Sequence, residues 1–299
     1  MQDGQPARRA GLPDGGALVA RNAERYRALA ALEFEAGLFL KPPPDEPLSL
    51  TMGLAPLIVQ ETAPTGESRR FGTVAVDDDG LFNVAPGPAT IYAHTSAILI
   101  DGYEHEQITF LWWYPRRAKR RADRPPLPGE SSCQVRGVRI TLGTDGFPAI
   151  HELLVPGEET SVLFVSRSLE AAAAKRFGRP LPGRRFSVEV AIDVAPHVVV
   201  AASIADGPIP MGPYVYVAAK ADRPTTILCR CMPSQVGRID ETAEYELADL
   251  ATLAQCSGAT PEALVRSLLL TECDVAVNND GARFRARSLS EILRLPAGF

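Results

Sequence analysis

Several residue types that carry chemistry are scarce in this chain of 299 residues, which has five cysteines, four histidines and two tryptophans. An odd number of cysteines at uneven spacings argues against a disulfide framework, so reduced thiols in a bacterial-type cytoplasm are expected. No stretch approaches the roughly 18 to 20 apolar residues of a membrane-spanning helix. No apolar run follows the first residues, as a secretory signal would require. The sequence therefore predicts a cytoplasmic protein that has no contact with a membrane.

Common catalytic motifs are missing as well. The chain has no phosphate-binding G-x-x-x-x-G-K-[ST], no G-x-G-x-x-G between a strand and a helix, and no G-x-S-x-G. His105-Glu106 and His151-Glu152 begin like the zinc-protease motif H-E-x-x-H, but Thr109 and Val155 replace its second histidine. The net charge of −5 argues against nucleic acid as a partner, because nucleic-acid binding usually leaves a basic excess.

The composition, with 45% hydrophobic and 22% charged residues, is typical of a globular chain with a sizeable core. The pattern along the chain predicts an α+β fold, with a mainly antiparallel sheet, an N-terminal helix, one inserted helix and a helical C-terminal segment. We divide it into residues 1–47 (tail, helix and proline-rich hinge), 48–235 (β-rich core domain) and 236–299 (helical segment packed on the core).

Helical periodicity predicts helices at 17–39, 242–255, 261–270 and 288–295, and an inserted helix that starts at Ser168 and stops at Gly178. The segment 54–59 contains Pro56 and therefore predicts an edge strand or a bent strand. The clearest hairpin joins 90–100 to 103–114 through Asp101-Gly102, a strong two-residue turn signal. Further strands are predicted at 73–76, 138–142, 147–155, 161–165, 186–192, 198–204, 214–218 and 225–229.

The most compact chemical motif is Cys229-Arg230-Cys231, which follows an apolar, β-branched run. Alternate residues of a strand share a face, so both sulfurs would point the same way, with Arg230 on the other face. In extended backbone the two α-carbons would lie roughly 6.5 Å apart, which disfavours a disulfide within the pair. Buried structural thiols, a metal or cluster site and a redox pair all fit this motif.

Two thiolates form only half of a tetrahedral zinc site, so a zinc or iron site would need distant ligands. We name His151 and His105 as candidates to complete it, together with the C-terminal cysteines at positions 256 and 273. His151 on its own pattern is more typical of a hydrogen-bonded, partly buried histidine. Whether any cofactor binds is left open by the sequence.

A polar face on the main hairpin is a candidate ligand site. With Ile100 opposite Tyr103, the side chains of His94 and Gln107 share one strand face with His105. His94 and His105 are four strand positions apart, roughly 13 Å, so one metal ion cannot join them. A solvated sheet face explains this pattern better than a binding groove does.

The densest charge is the basic run 116–124, which follows two tryptophans and includes Arg116 and Arg117. These two arginines are candidate contacts for an anionic ligand, although a solvated loop explains the run better.

Each candidate catalytic residue is explained at least as well by a purely structural role. By elimination the sequence favours a non-catalytic interaction or assembly protein, with a protein partner or a second copy of the chain. The alternatives are a metal- or thiol-dependent protein that uses Cys229 and Cys231, and a small-molecule binder at the polar hairpin face. Whether the protein is an enzyme is left open.

Overall fold

The computed structural model describes residues 15–29, 34–43, 49–62, 70–77, 81–85, 87–115, 133–158, 160–219, 222–232, 236–270 and 288–299. The predicted tail up to residue 14, most of the proline-rich hinge and the whole basic run lie outside these ranges. None of the helices in the described ranges is both long enough and apolar enough to cross a membrane.

The described residues form a strand-rich mixture of strands and helices. The strands are β1 (Phe34–Lys41), β2 (Leu57–Glu61), β3 (Thr73–Val76), β4 (Phe82–Ala85), β5 (Thr90–Ile100), β6 (Tyr103–Pro115), β7 (Cys133–Leu142), β8 (Pro148–Leu154), β9 (Ser161–Ser166), β10 (Val198–Ile204), β11 (Pro213–Ala218), β12 (Arg223–Cys229), β13 (Val236–Glu244) and β14 (Glu246–Asp249). The helices are α1 (Gly15–Leu29), α2 (Leu50–Leu54), α3 (Arg167–Phe177), α4 (Leu250–Cys256), α5 (Pro261–Leu270) and α6 (Leu289–Ile292).

Two large sheets pack face to face. The seven-stranded sheet has the order β10-β9-β8-β7-β6-β5-β14, and the five-stranded sheet has the order β12-β11-β2-β1-β13. The main core fills the space between them, and its buried apolar side chains come from both sheets: Leu38, Leu40, Ile58, Val215, Val217 and Ile227 from one, and Ile91, Ile108, Phe110, Trp112, Val138, Ile140 and Phe164 from the other. We call the side of the seven-stranded sheet that faces this core its inner face, and the opposite side its outer face.

The outer face is covered by two further apolar clusters. One contains α3 and α6, and the other contains α4, α5 and the two-stranded sheet β3-β4. Burial on both faces explains why strands such as β6 read as long apolar runs.

Strand direction agrees only in part with the predicted antiparallel sheet. The consecutive strands from β5 to β9 are antiparallel, as are the pairs β1–β2 and β11–β12. The pairs β1–β13, β2–β11, β9–β10 and β5–β14 are parallel. Each parallel pair joins segments that need a crossover connection, which a local pattern does not reveal.

The main hairpin is confirmed with its register. Ile100 pairs with Tyr103, and Asp101 and Gly102 form the turn with positive φ angles of 50° and 87°. Such angles favour glycine and aspartate, which is why Asp-Gly is a strong signal here. The second predicted hairpin, β7–β8, is also present.

The predicted helix over 17–39 is wrong in its second half. α1 ends at Leu29, and β1 begins at Phe34, where the sequence indicated continuing helix. Phe34, Leu38 and Leu40 are buried, and β1 pairs with both β2 and β13. These long-range pairings override the local helical periodicity of a short segment.

The strand predicted at 54–59 is also placed differently. Leu54 ends the short helix α2, and Pro56 lies just before β2 instead of inside it. Because the proline lies outside the hydrogen-bonded ladder, it does not prevent β2 from being a central strand. β2 lies in the centre of the five-stranded sheet, between β11 and β1.

The helix predicted at 242–255 is confirmed only over α4. The residues before it form β13 and β14, with Tyr245 between them. The hydroxyl of Tyr245 donates to the carbonyl oxygen of Pro56 at 2.7 Å. Since β13 pairs with β1 and β14 pairs with β5, the predicted boundaries after residues 47 and 235 fall between strands of shared sheets.

The strand predicted at 186–192 is absent from the described residues of that segment, which form turns and a single β-bridge between Glu189 and Leu293. Glu189 accounts for this, because its carboxylate accepts the backbone N–H groups of Arg185, Phe186 and Val200. A buried side chain thus takes the place of a neighbouring strand as hydrogen-bond partner.

The starts of the remaining helices follow their sequence signals closely, although α6 ends at Ile292 and not at the predicted residue 295. The N-cap of α3 is Ser166 and not Ser168, while Gly178 ends the helix as predicted. Ser288 and Glu291 form the predicted capping box of α6, and Thr260 accepts the N–H of Ala263 at the start of α5.

Candidate functional site

Cys229 and Cys231 form a disulfide, which overturns the expectation that extended backbone would keep their sulfurs apart. Cys229 is the last residue of β12, and the chain turns immediately after it, so that the N–H of Met232 donates to the carbonyl oxygen of Cys229 at 3.0 Å. The turn shortens the Cα–Cα distance to 5.2 Å, within the usual range for a disulfide. The expectation failed because it treated the motif as continuous strand.

The two sulfurs stand in different surroundings. Cys229 is 6% exposed and points into the space between the sheets, on the same face as Ile227, whereas Cys231 is exposed. The backbone N–H of Cys231 donates to Sγ of Cys229 at 3.2 Å. An N–H directed at a sulfur stabilises a thiolate there, so this bond favours Cys229 as the leaving group when the disulfide opens, against the opposing effect of its burial.

Arg230 lies in the turn between the two cysteines and is partly buried. Its guanidinium donates to the carbonyl oxygen of Ala55, directly after α2. Burial lowers the pKa of this guanidinium from its usual value. The contact ties the turn that carries the disulfide to the end of α2.

A cavity of about 30 Å³ lies beside Cys229, at one end of the core. This is more than the roughly 10–15 Å³ that a single water needs. Its walls come from β8, the end of β10, the loop after β10 and the end of β12. The lining residues are Phe147, Pro148, His151, Ile204, Ala205, Asp206, Gly207, Ile209, Met211, Gly212, Pro213 and Cys229.

His151 is the buried polar group of this cavity. It lies on the inner face of the seven-stranded sheet, between Ile140 and Phe164 of the neighbouring strands, and is 2% exposed. Burial lowers the pKa of its imidazole to about 4, so the ring is neutral at pH 7. Its Nδ1 has no hydrogen-bond partner among the described residues, in contrast to the hydrogen-bonded histidine that the sequence favours.

The loop between β10 and β11 closes the cavity, and close packing fixes its path. The N–H of Gly212 donates to the carbonyl oxygen of Gly53 at 3.0 Å. A β-carbon at Gly212 would collide with the backbone oxygens of Leu54 and Ala55. Glycine at this position therefore allows the loop to lie directly on α2.

Asp206 also lines the cavity, although no sequence motif points to it. Its carboxylate accepts the hydroxyl of Ser168 at 2.7 Å and the N–H of the same residue at 3.2 Å. These bonds hold the start of the loop against α3. The signal that could have pointed here is the glycine- and proline-rich segment 207–213 that follows it.

His105 lies on the outer face of the seven-stranded sheet, on the opposite side from the cysteines. Its Nδ1 is 2.9 Å from the carbonyl oxygen of Leu142, and its ring stacks on Phe299 at 4.4 Å between centroids. Because the sheet separates it from Cys229, His105 does not join His151 at the cavity.

The polar hairpin face is largely buried, so its interpretation as a solvated sheet face is wrong for Gln107 and Thr109. Gln107 donates to the hydroxyl of Thr141 at 2.9 Å. His94 keeps partial exposure and lies 3.2 Å from the carboxylate of Glu262 on α5. Helix α5 and the last residues of the chain pack over this face. The strand pattern alone did not predict this packing.

Among the described candidate residues, Cys133 and Cys256 do not line the cavity. Arg116, Arg117 and Cys273 lie outside the described residues. Cys256 is an exposed free cysteine, and Cys133 is buried with its thiol 3.0 Å from the carbonyl oxygen of Phe82. Within the described ranges, no three side chains of His, Cys, Asp or Glu come together as a metal site.

No protein-family model, curated protein or solved structure matches this chain. The function therefore has to be inferred from the chemistry of the site itself.

Proposed function

We propose that this is a thiol–disulfide redox protein whose working group is the pair Cys229 and Cys231. The observation that carries the proposal is the asymmetry of this disulfide. One sulfur is exposed to other molecules, and the other is buried beside a small, partly open cavity that also contains a neutral histidine. An accessible disulfide with a stabilised leaving sulfur is the arrangement that exchange chemistry requires.

The disulfide is poorly suited to a purely structural role. It joins residues only two apart in sequence. On the chain-entropy model, closing a three-residue loop stabilises a fold by roughly 1.5 kcal/mol, about half the value for a 15-residue loop. The two sheets are already held together by an extensive apolar core. Reduction of the pair therefore leaves the fold intact, as a reversible redox group requires.

The exchange runs through the exposed sulfur. The thiolate of an external thiol attacks Sγ of Cys231, the bond between the two protein sulfurs breaks, and Cys229 leaves as a thiolate that accepts the N–H of Cys231. A second external thiolate then attacks the mixed disulfide and releases the thiolate of Cys231. In total, two thiols are oxidised to one disulfide, and the protein gains two electrons and two protons.

The predicted cytoplasmic location, which stays a prediction, agrees with this proposal. Disulfides in reducing compartments are usually transient and serve catalysis or redox sensing.

The proposal is tested by equilibrating the native protein with dithiothreitol and with glutathione buffers, followed by mass spectrometry of alkylated peptides. We expect the peptide with Cys229 and Cys231 to gain and lose two thiols reversibly while the circular dichroism spectrum stays unchanged. The buried Cys133 is an internal control that remains a thiol, whereas the exposed Cys256 has no partner cysteine among the described residues and should form at most a mixed disulfide with glutathione. A pair that stays reduced in every oxidising buffer, or that cannot be reoxidised, would overturn the proposal.

Single-cysteine variants test the roles of the two sulfurs. In Cys229→Ser the remaining Cys231 should form a mixed disulfide with glutathione within minutes, because it is exposed. In Cys231→Ser the buried Cys229 should react at least about tenfold more slowly. Equal rates in the two variants would contradict the assigned direction of attack.

A metal-dependent function is the second candidate, because Cys229 and His151 line the same cavity. In reduced protein these two side chains would provide a thiolate and an imidazole, two ligands that zinc accepts. Elemental analysis of protein purified under reducing conditions tests this, since about one zinc or iron per chain would favour a metal centre over the redox pair. The interaction or assembly function remains a separate prediction.

A further inference from the structure

We propose that the oxidant of this pair is a small hydroperoxide, which binds in the cavity and reacts with Cys229. The inference rests on the proposed redox function and adds a substrate class to it. A reversible disulfide needs a source of oxidation, and the cavity indicates which sulfur receives it.

The size of the cavity limits what can reach Cys229. A volume of about 30 Å³ accommodates a molecule of two or three heavy atoms, such as hydrogen peroxide, which is about the size of two waters. A glutathione disulfide or an aromatic hydroperoxide exceeds it many times over. Because Cys229 itself is only 6% exposed, large oxidants should react mainly with the exposed Cys231.

The cavity also provides a place for the peroxide to bind. Nδ1 of His151 is a buried polar atom without a partner among the described residues, and such atoms normally bond to a molecule in the adjoining space. Ile204, Met211 and Pro213 supply apolar walls that would exclude larger polar ligands. A neutral imidazole hydrogen-bonds to a peroxide without bringing a charge into the core.

The oxidation of the two thiols by hydrogen peroxide balances without a further reagent. The thiolate of Cys229 attacks one peroxide oxygen, the O–O bond breaks, and hydroxide leaves and takes a proton, so that Cys229 becomes a sulfenic acid. The thiolate of Cys231 then attacks this sulfur and displaces its hydroxyl group, which leaves as water after protonation. In sum, two thiols and one hydrogen peroxide give one disulfide and two waters.

Size selection is the first test, and it needs no variant. Reduced wild-type protein is mixed with hydrogen peroxide, cumene hydroperoxide or oxidised glutathione, and formation of the disulfide is followed by quenching with an alkylating agent and mass spectrometry. We expect hydrogen peroxide to oxidise the pair at least about tenfold faster than cumene hydroperoxide does. Equal rates for the two peroxides, or a rate with hydrogen peroxide no faster than that of free cysteine, would overturn the inference.

The attacked sulfur is identified with the variant Cys231→Ser, which cannot complete the disulfide. Hydrogen peroxide should convert its Cys229 into a sulfenic acid that dimedone traps, whereas the matched variant Cys229→Ser should give little trapped product at Cys231. If dimedone traps the sulfenic acid mainly at Cys231, the reaction takes place outside the cavity and the inference is wrong.

The histidine is tested with His151→Leu, with His105→Leu as the control because His105 is equally buried but lies on the opposite face of the sheet. We expect His151→Leu to lower the rate with hydrogen peroxide at least about tenfold relative to the rate with oxidised glutathione, and His105→Leu to leave this ratio unchanged. A parallel loss with both oxidants would mean damage to the fold and would contradict the role of His151.

The two proposals fail in different ways. If oxidised glutathione forms the disulfide and hydrogen peroxide does not, the redox function stands and the peroxide site is wrong. If no oxidant forms a reversible disulfide, the proposed function itself is wrong.

Discussion

Arg184 and Glu189 form an ion pair 3.5 Å apart whose side chains are only 1% and 3% exposed. The hydroxyl of Tyr26 on α1 donates to the same carboxylate at 2.6 Å, and Arg184 also donates to the carbonyl oxygens of Ala195 and Val198. Burial, followed by the nearby carboxylate, raises the pKa of Tyr26. These bonds hold the irregular segment before β10 and attach α1 to it.

Removing the carboxylate should destabilise the protein strongly. We expect Glu189→Ala to lower the free energy of unfolding by about 3–5 kcal/mol, because Arg184 would remain buried without its counter-charge. Urea denaturation measures the change. Glu244→Ala, which breaks an exposed ion pair with Lys41 at 3.5 Å, is the control and should cost less than about 1 kcal/mol. Similar losses in the two variants would show that the buried network does not stabilise the fold.

Stability should fall as the solution becomes acidic, because of His151. Its pKa of about 4 in the folded protein lies below the ordinary 6.5. Below pH 6.5 the unfolded chain binds a proton at this residue that the folded protein does not bind until about pH 4. The free energy of unfolding should therefore drop by roughly 3 kcal/mol across this interval and level off below it.

The measurement is urea denaturation of wild type and His151→Leu between pH 7 and pH 4.5. Other titrating groups affect both proteins alike, so the difference between the two curves reports His151. A difference that does not change with pH would show that this histidine is not buried in its neutral form.

The contact between Gly212 and α2 predicts a sharp difference between two glycine variants. Gly212→Ala should cost about 2–3 kcal/mol, because its β-carbon meets backbone oxygens that cannot move independently. It should also increase the alkylation rate of Cys229 in reduced protein, since the loop would lift from the cavity. Gly53→Ala meets nothing within 4 Å and should be neutral or slightly stabilising. Equal thermal denaturation curves for both variants would contradict the packing.

The stacking of Phe299 on His105 predicts that the last residues stabilise the outer face. Phe299→Ala should lower the free energy of unfolding by about 1–3 kcal/mol and shift the NMR signals of the His105 ring. Leu99→Ala removes a side chain that is 74% exposed and should change stability by less than about 0.5 kcal/mol. Unchanged His105 signals in Phe299→Ala would argue against the stacked arrangement.

Local features could be predicted from the sequence with accuracy. The Asp101-Gly102 turn fixed the register of its hairpin, and Ser288 with Glu291 marked the start of α6, because both signals depend on residues a few positions apart. The parallel strand pairs escaped prediction, since each depends on partners far away along the chain.

The candidate site was predicted in part for the same reason. Cys229 and His151 were both selected by residue type, and the structure brings them to one cavity. Their proximity depends on the packing of two sheets, which no local pattern encodes. The turn after Cys229 was missed because its backbone departs from the strand just where the motif begins.

The chain from Val236 to Asp249 contributes one strand to each large sheet, with Tyr245 at the crossing point. This segment links the two sheets covalently and by hydrogen bonds. Sliding one sheet over the other would break the hydrogen bonds of β13 or of β14. The relative position of the two sheets should therefore stay the same when the disulfide is reduced. Movement that follows reduction should be confined to the turn after β12, which carries Cys231.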